Sequence, residues 1–475
     1  MKLQLRALTL FFILILPALS TFASDDQEIT QDSLELLANK SLESILNDQV
    51  SEKNDVYLKG EWPQNVQFSG RVVGSGVFPK ERTEDPSAFN TAAIANLVIS
   101  AYPNGFSSAP AEVQESILSA IGSFDDYLDD AGGAYHFFPK IEMQVLRDGI
   151  MVNKVVHHQK LLRLKGSFGT DREFHNAGVA PPDIDSTAVI QTTLFKVNKT
   201  DLSDNFIKKI ETYRDFNRTP HLLNRLNGYK DTGAYLTWLL PEPKFDEPNL
   251  IKRAKNFIDA SFSSREKDYR LPLSKNDVDC VVNTNLLRAL SLTDRKETPG
   301  YENACKWVNS TIQNGETKSC GMYYPNTLYL HLNASFAIVD GTKCLESSAS
   351  RMVEDMLKLQ RRDGSWKNDA NLEIALRRPD YFQTTLYALV TYINLYKSGN
   401  LEMTDEVRES FKKGLKFVLK NIKNEEDGSL SMPEGMFYSG FLPLRNNSAW
   451  RSQSYTMGLA LNVFTYAHYF IPDVQ

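Results

Sequence analysis

The sequence has few cysteines, no dense basic segment and no Pro/Ser-rich linker near its middle. Four cysteines in 475 residues are too few for a disulfide-rich scaffold, although two disulfides can form where the compartment oxidises thiols. The net charge is −6, and no Lys/Arg cluster is dense enough to neutralise a phosphate backbone, so we expect no nucleic-acid partner. A content of 42% hydrophobic and 24% charged residues excludes a disordered or collagen-like chain and indicates a globular protein.

The N-terminal residues have the pattern of a secretory signal peptide. Lys2 and Arg6 are followed by an apolar run over residues 8–16 and by small residues ending at Ala23. This run is too short to cross the roughly 30 Å apolar core of a bilayer comfortably. We therefore predict a cleaved signal peptide over residues 1–23 and a secreted or periplasmic protein, with an uncleaved anchor as the alternative. We expect no stable membrane span after cleavage, because no other window of the sequence is long and apolar enough.

From about residue 85 onward, one pattern recurs: a turn followed by an apolar helix rich in Thr, Ala and Leu. Its instances begin near Ser87, Asp183, Thr232, Asp277, Pro325, Asp380 and Ser452. The successive spacings are 96, 49, 45, 48, 55 and 72 residues, and the segment 132–135 lies at the midpoint of the first. The repeat unit is therefore about 48 residues, which is the length of two helices and two loops.

A second type of helix carries charge on one face only, as over residues 348–361 and 405–420, and it ends at a glycine turn. Because the first type is apolar on all sides, we expect the amphipathic helices to wrap the apolar ones in two concentric layers. About six such hairpins closed into a ring give an all-α fold, an α/α toroid, over residues 85–475. Separate helical domains and an open solenoid are the alternatives. Residues 24–84 form a leader with one short helix, and the alternating segment 152–164 predicts a small β-hairpin inserted in the ring.

Two short motifs carry a family resemblance. The segment from Gln360 to Trp366, QRRDGSW, resembles the glutamine–tryptophan repeat of squalene and hopene cyclases. The segment 183–188, DIDSTA, resembles the Asp-x-Asp-Asp-Thr-Ala motif of class II terpene cyclases, and Asp277 with Asp279 repeats the theme. Together they resemble the α/α-toroid superfamily of terpenoid cyclases and protein prenyltransferases, over roughly residues 85–470.

The resemblance implies a general acid. In the family the middle Asp of the motif protonates an alkene or epoxide, and this position is Asp185, with Asp183 as its polarising neighbour. The third Asp of the family motif is Ser186 in this chain. The substrate implied is an isoprenoid-like apolar molecule held in the cavity of the toroid.

Each of these carboxylates also has a structural interpretation. An Asp just before an apolar helix is commonly its N-cap, and capping is the simpler interpretation for Asp183, Asp277 and Asp380. A paired Asp-x-Asp that occurs twice is harder to explain by capping alone. We therefore predict that Asp277 and Asp279 contribute to substrate binding. Tyr324 and Trp366 are further candidates for binding, and packing at hairpin ends is the alternative for both.

No metal or other cofactor is predicted. The prenyltransferases that share the fold hold zinc with an Asp-x-Cys pair and a distant His. In this chain Asp279 and Cys280 are adjacent, and His331 has no partner at a suitable spacing. The spacing therefore argues against a zinc site.

Two other functions remain open. An extracytoplasmic polysaccharide lyase or hydrolase is consistent with the predicted compartment, the paired carboxylates and four unassigned side chains: Tyr135, His136, His175 and Tyr324. The cavity ligand would then be a glycan rather than a small apolar molecule. A non-catalytic binding protein that uses one face of the ring is the third hypothesis.

The four cysteines lie at corresponding places of successive repeats. Cys280 opens one inner helix and Cys320 precedes the next, while Cys305 and Cys344 lie near the starts of successive outer helices. Neighbouring hairpins of a ring place like positions side by side. We therefore predict the disulfides Cys280–Cys320 and Cys305–Cys344.

Overall fold

A computed structural model describes most of the chain. The described residues are 29–68, 72–73, 76–77, 82–147, 150–157, 181–216, 218, 220, 222–239, 276–324, 326–367, 380–440 and 448–471. The predicted signal peptide and His175 lie outside these residues, as does the segment 158–164.

The described residues are mostly helical. The helices are α1 (Gln31–Asp48), α2 (Ala88–Ser100), α3 (Ala111–Gly122), α4 (Ile184–Asn198), α5 (Asp204–Thr212), α6 (Leu222–Leu226), α7 (Cys280–Leu292), α8 (Tyr301–Gln313), α9 (Thr317–Cys320), α10 (Thr327–Val339), α11 (Ala349–Leu359), α12 (Phe382–Lys397), α13 (Asp405–Asn421) and α14 (Gln453–Tyr466). The strands are β1 (Asn65–Phe68), β2 (Val72–Val73), β3 (Gly76–Val77), β4 (Thr83–Glu84), β5 (Lys140–Arg147), β6 (Ile150–His157), β7 (Lys423–Asn424), β8 (Leu430–Ser431), β9 (Tyr438–Gly440) and β10 (Ser448–Arg451).

The helices α2, α4, α7, α10, α12 and α14, here called the inner helices, are buried along nearly their whole length. Each of them contacts the next one in chain order, and α14 contacts α2, so the cycle of contacts closes. Helices with one polar face pack outside: α3 on α2, α8 on α7, α11 on α10 and α13 on α12. The N-terminal helix α1 packs on α14 and so stands outside the last inner helix. The inner helices can be apolar on every side because other helices surround them.

A threonine or asparagine in the first turn of four inner helices explains part of the repeated sequence pattern. Its side chain accepts a hydrogen bond from the backbone amide of an aromatic residue in the preceding segment. The donor and acceptor pairs are Trp62 and Thr91, Tyr135 and Thr187, Tyr235 and Asn283, and Trp366 and Thr385, at 2.8–3.4 Å. The aromatic residues are therefore equivalent members of the repeat.

The turn at Trp366 follows the outer helix α11 and also contacts α13, the next outer helix in the chain. Gln360 caps the end of α11, and its side-chain amide donates to the carbonyls of Gly364 (3.0 Å) and Ser410 (2.8 Å), the latter in α13. The indole of Trp366 donates back to the carbonyl of Met356 at 2.7 Å. The glutamine and the tryptophan thus fasten one hairpin to the next.

The same device recurs at the N-terminus, where the sequence analysis did not find it. Gln49 caps the end of α1, and its amide donates to the carbonyls of Gly60 (2.8 Å) and Ser116 (2.9 Å). The indole of Trp62 donates to the carbonyl of Ile45, in α1, at 2.8 Å. A longer loop separates this glutamine from its tryptophan, and that loop hides the resemblance in the sequence.

One predicted instance of the repeat does not begin a helix. The residues after Thr232 run extended, and Leu236 and Thr237 pair by backbone hydrogen bonds with neighbouring segments. This segment supplies Tyr235, which contacts the following inner helix α7. A glycine with an aromatic residue occurs in the turn before an inner helix as well as at the start of such a helix. The sequence pattern therefore does not distinguish the turn from the helix start.

The all-α prediction misses several short strands. Strands β4, β1, β10 and β9 form an antiparallel sheet in that order, which joins the N-terminal part of the chain to its C-terminal part. The strands β5 and β6 pair antiparallel from Lys140–His157 to Arg147–Ile150. This hairpin begins upstream of the segment 152–164 in which one was predicted.

Both predicted cysteine pairs lie at disulfide distance. The Cα atoms of Cys280 and Cys320 are 5.5 Å apart, and those of Cys305 and Cys344 are 6.0 Å apart. Each pair ties one hairpin to the next. None of the helices in the described part of the chain has both the length and the apolar character needed to cross a membrane.

Candidate functional site

The carboxylates Asp183 and Asp185 lie at the N-terminal end of α4. Asp183 is the N-cap, and its Oδ1 accepts a hydrogen bond from the amide of Ser186 at 2.6 Å. Asp185 stands two residues further on, in the first turn, and its side chain bonds to Asn285 and Tyr324 instead. The capping interpretation therefore holds for Asp183 and leaves Asp185 unexplained.

Asp185 is buried and held by two side chains from neighbouring repeats. Asn285 in α7 donates from Nδ2 to Oδ1 at 2.8 Å, and the hydroxyl of Tyr324 donates to Oδ2. Burial raises the pKa of Asp185 to about 6, against the lowering effect of these two hydrogen bonds. The carboxyl group is thus protonated over a wider pH range than an exposed aspartate would be.

Asp183 is more strongly perturbed than its neighbour. Burial raises its pKa to about 8; the bond from Ser186 lowers it, and the charge of Asp185 raises it. Its Oδ2 is buried and has no hydrogen-bond partner among the described residues. Ser186, where the class II motif has a third Asp, donates its backbone amide to Asp183. The raised pKa favours the neutral form of Asp183 near pH 7, next to Asp185.

Asp279 does not occupy the position equivalent to Asp185. It is the N-cap of α7, where its Oδ1 accepts from the amides of Val281 (2.7 Å) and Val282 (3.2 Å). Its Oδ2 accepts from the amides of Met322 and Tyr323. The predicted cap at Asp277 is therefore wrong, and the repeated Asp-x-Asp theme is shifted by two residues with respect to Asp183 and Asp185.

The carboxylate of Asp277 accepts hydrogen bonds from two side chains. Thr237 donates to its Oδ1 at 2.6 Å, and the hydroxyl of Tyr323 donates to its Oδ2 at 2.7 Å. The indole of Trp238 donates to that hydroxyl at 2.9 Å. Both Asp277 and Asp279 thus have donors from the protein at both oxygens, and binding of substrate by either stays a prediction.

A cavity runs between the inner helices next to Asp185. Its lining combines apolar and aromatic side chains with a few polar ones: Phe89, Ala93, Asn96, Leu97, Val189, Asn285, Arg288, Tyr329, Leu332, Asn333, Phe336 and Tyr455. Asn285 belongs both to this lining and to the hydrogen bond on Asp185. The cavity volume is about 30 Å³, room for a water molecule or two, so a chain-like ligand enters only if side chains move.

The two aromatic substrate-binding candidates lie in different places. Tyr324 is 5% exposed, and its ring stacks on Tyr329, with the centroids 4.9 Å apart, so it lies directly behind the lining of the cavity. Trp366 is fully buried at the turn that follows α11 and is not part of the lining. The structure thus brings Tyr324 and Asp185 together and separates Trp366 from them.

Sequence analysis missed Asn285 and Arg288. Both lie on the inner helix α7, three residues apart, and both line the cavity. A signal was present, because amides and an arginine are unusual in a helix that is otherwise apolar on all sides. The aromatic residues Phe89, Tyr329 and Tyr455 carried no such signal, since core packing explains them equally well.

The other candidate residues are buried in protein contacts. Tyr135 is 6% exposed, and the ring of His136 stacks on that of His157 with the centroids 3.6 Å apart. His331 pairs with Asp355, Nε2 to Oδ2, at 3.2 Å. Among the described residues there is no group of three His, Cys, Asp or Glu side chains that could hold a metal ion.

Comparison of the sequence with protein-family models and with curated proteins finds no match. Solved structures do match in fold. One is a variant of the type II terpene cyclase MstE from Scytonema with its substrate geranylgeranyl dihydroxybenzoate, at 12% identity over 93% of this chain and 99% of that chain, with a TM-score of 0.52. Another variant of that enzyme, with the product merosterolic acid A, matches at 11% identity over 93% and 98% of the two chains, with a TM-score of 0.52.

A protein from Actinoplanes also matches, at 10% identity over 91% of this chain and 99% of that chain, with a TM-score of 0.50. At identities this low, a match shows the fold and does not transfer an activity.

Proposed function

We propose, from the terpenoid cyclase-like α/α-toroid fold of this chain, that the protein binds an isoprenoid-like apolar molecule inside its ring and protonates it with Asp185. The observation that carries the proposal is the environment of Asp185. This carboxyl is buried next to an aromatic-lined cavity, and its pKa is raised to about 6. A neutral carboxyl in a dry, apolar site is the group that protonation of an alkene or epoxide requires.

The two hydrogen bonds on Asp185 assign roles to its oxygens. The side-chain NH2 of Asn285 can only donate to Oδ1, whereas the hydroxyl of Tyr324 can either donate to Oδ2 or accept from it. The proposed mechanism therefore places the proton on Oδ2. Transfer of that proton to an alkene carbon leaves a carbocation, and attack by a second double bond closes a ring. Loss of a proton to water then gives a neutral product and allows the carboxyl to be protonated again. The product is an isomer of the substrate.

The lining of the cavity suits the charge that develops in such a reaction. The rings of Phe89, Tyr329 and Tyr455 face the cavity, and the electron-rich faces of aromatic rings attract cations. The apolar helices α2 and α10 on either side keep water away from the reacting centre. Cation stabilisation and exclusion of water together favour ring closure over capture by water.

The test uses Asp185→Asn and three probes: geranylgeraniol, squalene and geranylgeranyl dihydroxybenzoate. We expect the wild-type protein to convert at least one probe to an isomer of equal mass, which carries one deuterium when the reaction runs in D₂O. We expect Asp185→Asn to lose at least about 100-fold in rate, because general acid catalysis contributes about 10² to 10⁴. Gas chromatography with mass spectrometry measures both effects.

Asp427→Asn is the matched control for this test. Asp427 lies at an exposed turn, where the same change of one oxygen to an amide leaves the site untouched. We expect wild-type activity from this variant. Isomer formation by Asp185→Asn at the wild-type rate would refute the role of Asp185.

Export and domain organisation belong to the same proposal. The N-terminal pattern supports a cleaved signal peptide over residues 1–23, and the two cysteine pairs at disulfide distance support an oxidising compartment. The cycle of contacts among the inner helices supports about six hairpins in two concentric layers. We further propose that helix α1, and not only residues 85–475, belongs to the ring.

The alternative functions have less support. A glycan-active protein needs an open groove with accessible carboxylates and aromatic platforms. Tyr135, His136 and Tyr324 are each at most 6% exposed, and Asp183 and Asp185 are buried as well. A non-catalytic binding protein has no evident need for a buried carboxyl with a raised pKa beside the cavity.

A further inference from the structure

Two histidine rings lie face to face beside the β5–β6 hairpin. The rings of His136 and His157 are nearly parallel, with an angle of 7° between their planes, and their centroids are 3.6 Å apart. His136 is 1% exposed and His157 is 8% exposed. His136 lies four residues before β5, and His157 is the last residue of β6. The stack, here called the histidine pair, therefore joins the end of β6 to the segment that leads into β5.

The hydrogen bonds of His157 indicate a neutral ring. Its Nδ1 lies 3.1 Å from the carbonyl oxygen of Phe138, and because a carbonyl only accepts, Nδ1 carries a hydrogen. Its Nε2 is buried and has no hydrogen-bond partner among the described residues. A second proton would therefore create a buried, charged N–H group at Nε2 without an acceptor in that part of the chain.

The charged groups around His157 do not compensate for a second proton. Burial lowers the pKa of His157, and its hydrogen bond to a backbone carbonyl raises it. The charge of Lys140 also lowers it, whereas Asp130 and Asp129 raise it. Lys140 lies opposite His157 in the hairpin and binds Asp130 at 3.1 Å, while Asp129 binds Lys209 at 3.2 Å. Both carboxylates are therefore already paired with a lysine.

Protonation of both rings would separate the histidine pair. Two positive charges 3.6 Å apart repel each other, and water screens this repulsion poorly where the rings are buried. A histidine outside the stack takes up a proton near pH 6.5, whereas burial holds the pKa of His157 below that value. As the pH falls through this range, the separated form therefore binds more protons than the stacked form, and its population rises.

The residue before His136 is joined to the helix that carries Asp185. The amide of Tyr135 donates to Oγ1 of Thr187 at 2.8 Å, and its carbonyl accepts from the amide of Asp183 at 3.1 Å. Asp183 and Thr187 lie on either side of Asp185 at the N-terminal end of α4. The segment that carries His136 therefore holds this end of α4 in place.

The residue after His136 is joined to the cavity by aromatic contacts. The ring of Phe137 packs edge-on against that of Tyr438, with the centroids 5.4 Å apart. Tyr438 packs in turn against Phe89, which lines the cavity, at 5.4 Å, and against Tyr324 at 6.3 Å. A displacement of His136 is therefore transmitted to the site both through the backbone and through aromatic rings.

We propose that the histidine pair is a pH-sensitive latch, which holds the segment before β5 against α4 while its rings are neutral and releases this segment when they are protonated. The latch sets an acid limit to the pH range of the site. Asp185, with a pKa of about 6, acts in its protonated form, while the latch needs neutral histidines. The effect on activity rests on the proposed function, but the opening of the latch does not.

Hydrogen–deuterium exchange tests the latch without any substrate. The amides of His136 and Asp183, which donate to the carbonyls of Tyr127 and Tyr135, report its opening. After correction for the intrinsic pH dependence of exchange, we expect these amides to lose protection about tenfold or more between about pH 7 and pH 5, because each proton bound only by the open form changes the opening constant tenfold per pH unit. Helix α13 contains no histidine and serves as the internal reference.

Replacement of the histidines by Phe keeps aromatic rings and removes the titrating groups. We expect the double change His136→Phe and His157→Phe to reduce the pH-dependent loss of protection to less than about threefold, and each single change to leave only part of it. His468→Gln, which removes a histidine just after α14, is the control and should keep the wild-type dependence. A thermal melt at neutral pH confirms that each variant folds.

Two results would overturn the inference: protection in the wild-type protein that stays constant over this pH range, or an unchanged pH dependence in the double variant. If the double variant does not fold, the comparison of the wild-type segment with α13 still decides, because an equal loss of protection in both would contradict a local latch.

Rates separate this inference from the proposed function. If Asp185 is the general acid, kcat/KM of the wild type should also fall on the acid side, and the double variant should extend activity to lower pH. Opening of the latch without isomer formation would leave the inference standing and reject the proposed reaction.

Discussion

Tyr324 contacts both Asp185 and a residue that lines the cavity. Its hydroxyl donates to the carboxylate, and its ring stacks on Tyr329 in the lining. The hydrogen bond lowers the pKa of Asp185, while burial raises it. Tyr324 is therefore a positioning residue that also sets the pH range in which Asp185 holds its proton.

Replacement of Tyr324 by Phe gives a pH-dependent prediction. In the proposed mechanism Asp185 acts when protonated, so we expect the activity to fall as the pH rises through its pKa. Without the Tyr324 donor that pKa rises, and we expect the falling limb of kcat/KM to move by about one unit to higher pH. Rates measured from about pH 4 to 9 show the shift.

Tyr235→Phe is the control for that change. Tyr235 is a buried tyrosine whose hydroxyl bonds to the carbonyl of Thr298, away from Asp185. We expect its pH profile to match that of the wild type. A limb that stays in place in Tyr324→Phe, or moves to lower pH, would contradict the assigned role.

At the residue scale, the sequence singled out the two carboxylates but not the side chains from other repeats that contact them. Asp183 and Asp185 stand out because two carboxylates at the start of an apolar helix are unusual, and both lie at the site. Asn285 and Arg288 come from another repeat, and only the packing of α7 against α4 brings them to the same cavity. Sequence spacing within one repeat carries no information on that contact.

At the element scale, the glutamine–tryptophan turn holds neighbouring hairpins together. At Gly364, φ is +85°, and an added Cβ would lie 2.3 Å from the carbonyl oxygen of Lys413. The turn therefore packs directly on the backbone of the next outer helix. Trp366 fills the space beneath it, and Gly414 leaves room for the indole.

Trp366→Phe tests this interpretation. The change removes the hydrogen bond to Met356 and part of a fully buried side chain, so we expect a loss of about 1–3 kcal/mol in the free energy of unfolding. Affinity for a cavity ligand should stay within about twofold. Urea unfolding and titration calorimetry measure the two quantities.

Trp62→Phe provides the comparison, because Trp62 makes the equivalent bonds to Ile45 and Thr91. We expect a destabilisation of the same size. A large loss of affinity in Trp366→Phe, with stability unchanged, would instead support the substrate-binding prediction made from the sequence.

The elements themselves were predictable where their periodicity is strong. The outer helix predicted over 405–420 is Asp405–Asn421, and that predicted over 348–361 is Ala349–Leu359. The 48-residue spacing is less regular: α7 and α10 begin 47 residues apart, but α4 and α7 begin 96 apart. Strands of two to four residues, such as β1 and β4, contain too few residues to show a period.

At the scale of the whole molecule, one cysteine pair connects α7 to α9, and the other connects α8 to the segment between α10 and α11. Cys280 opens α7, and Cys320 lies four residues before Tyr324, which contacts Asp185. Cys305 and Cys344 join more distant parts of the same hairpins. The pair Cys280–Cys320 therefore stabilises the segment that carries Tyr324, and the pair Cys305–Cys344 stabilises the contact between neighbouring hairpins.

Serine replacements separate the two roles. We expect the double change Cys280→Ser and Cys320→Ser, and likewise the double change Cys305→Ser and Cys344→Ser, to lower the free energy of unfolding by about 4 kcal/mol in the chain-entropy model. The first should also reduce activity several-fold, because it loosens the segment that carries Tyr324. Unfolding curves and rates measure the effects. Equal rates in both double variants would contradict this division.

The contact between the first and the last inner helix, α2 and α14, determines when the ring can close during synthesis of the chain. Helix α14 packs against both α1 and α2, and strand β10 pairs with β1. A chain still being made lacks these partners, and its early helices keep exposed apolar surface until α14 and β10 have been made. Contacts between such distant residues form slowly. The ring can therefore close only after α14 has been made, so the early inner helices stay without one of their neighbours for most of the time that the chain is being built.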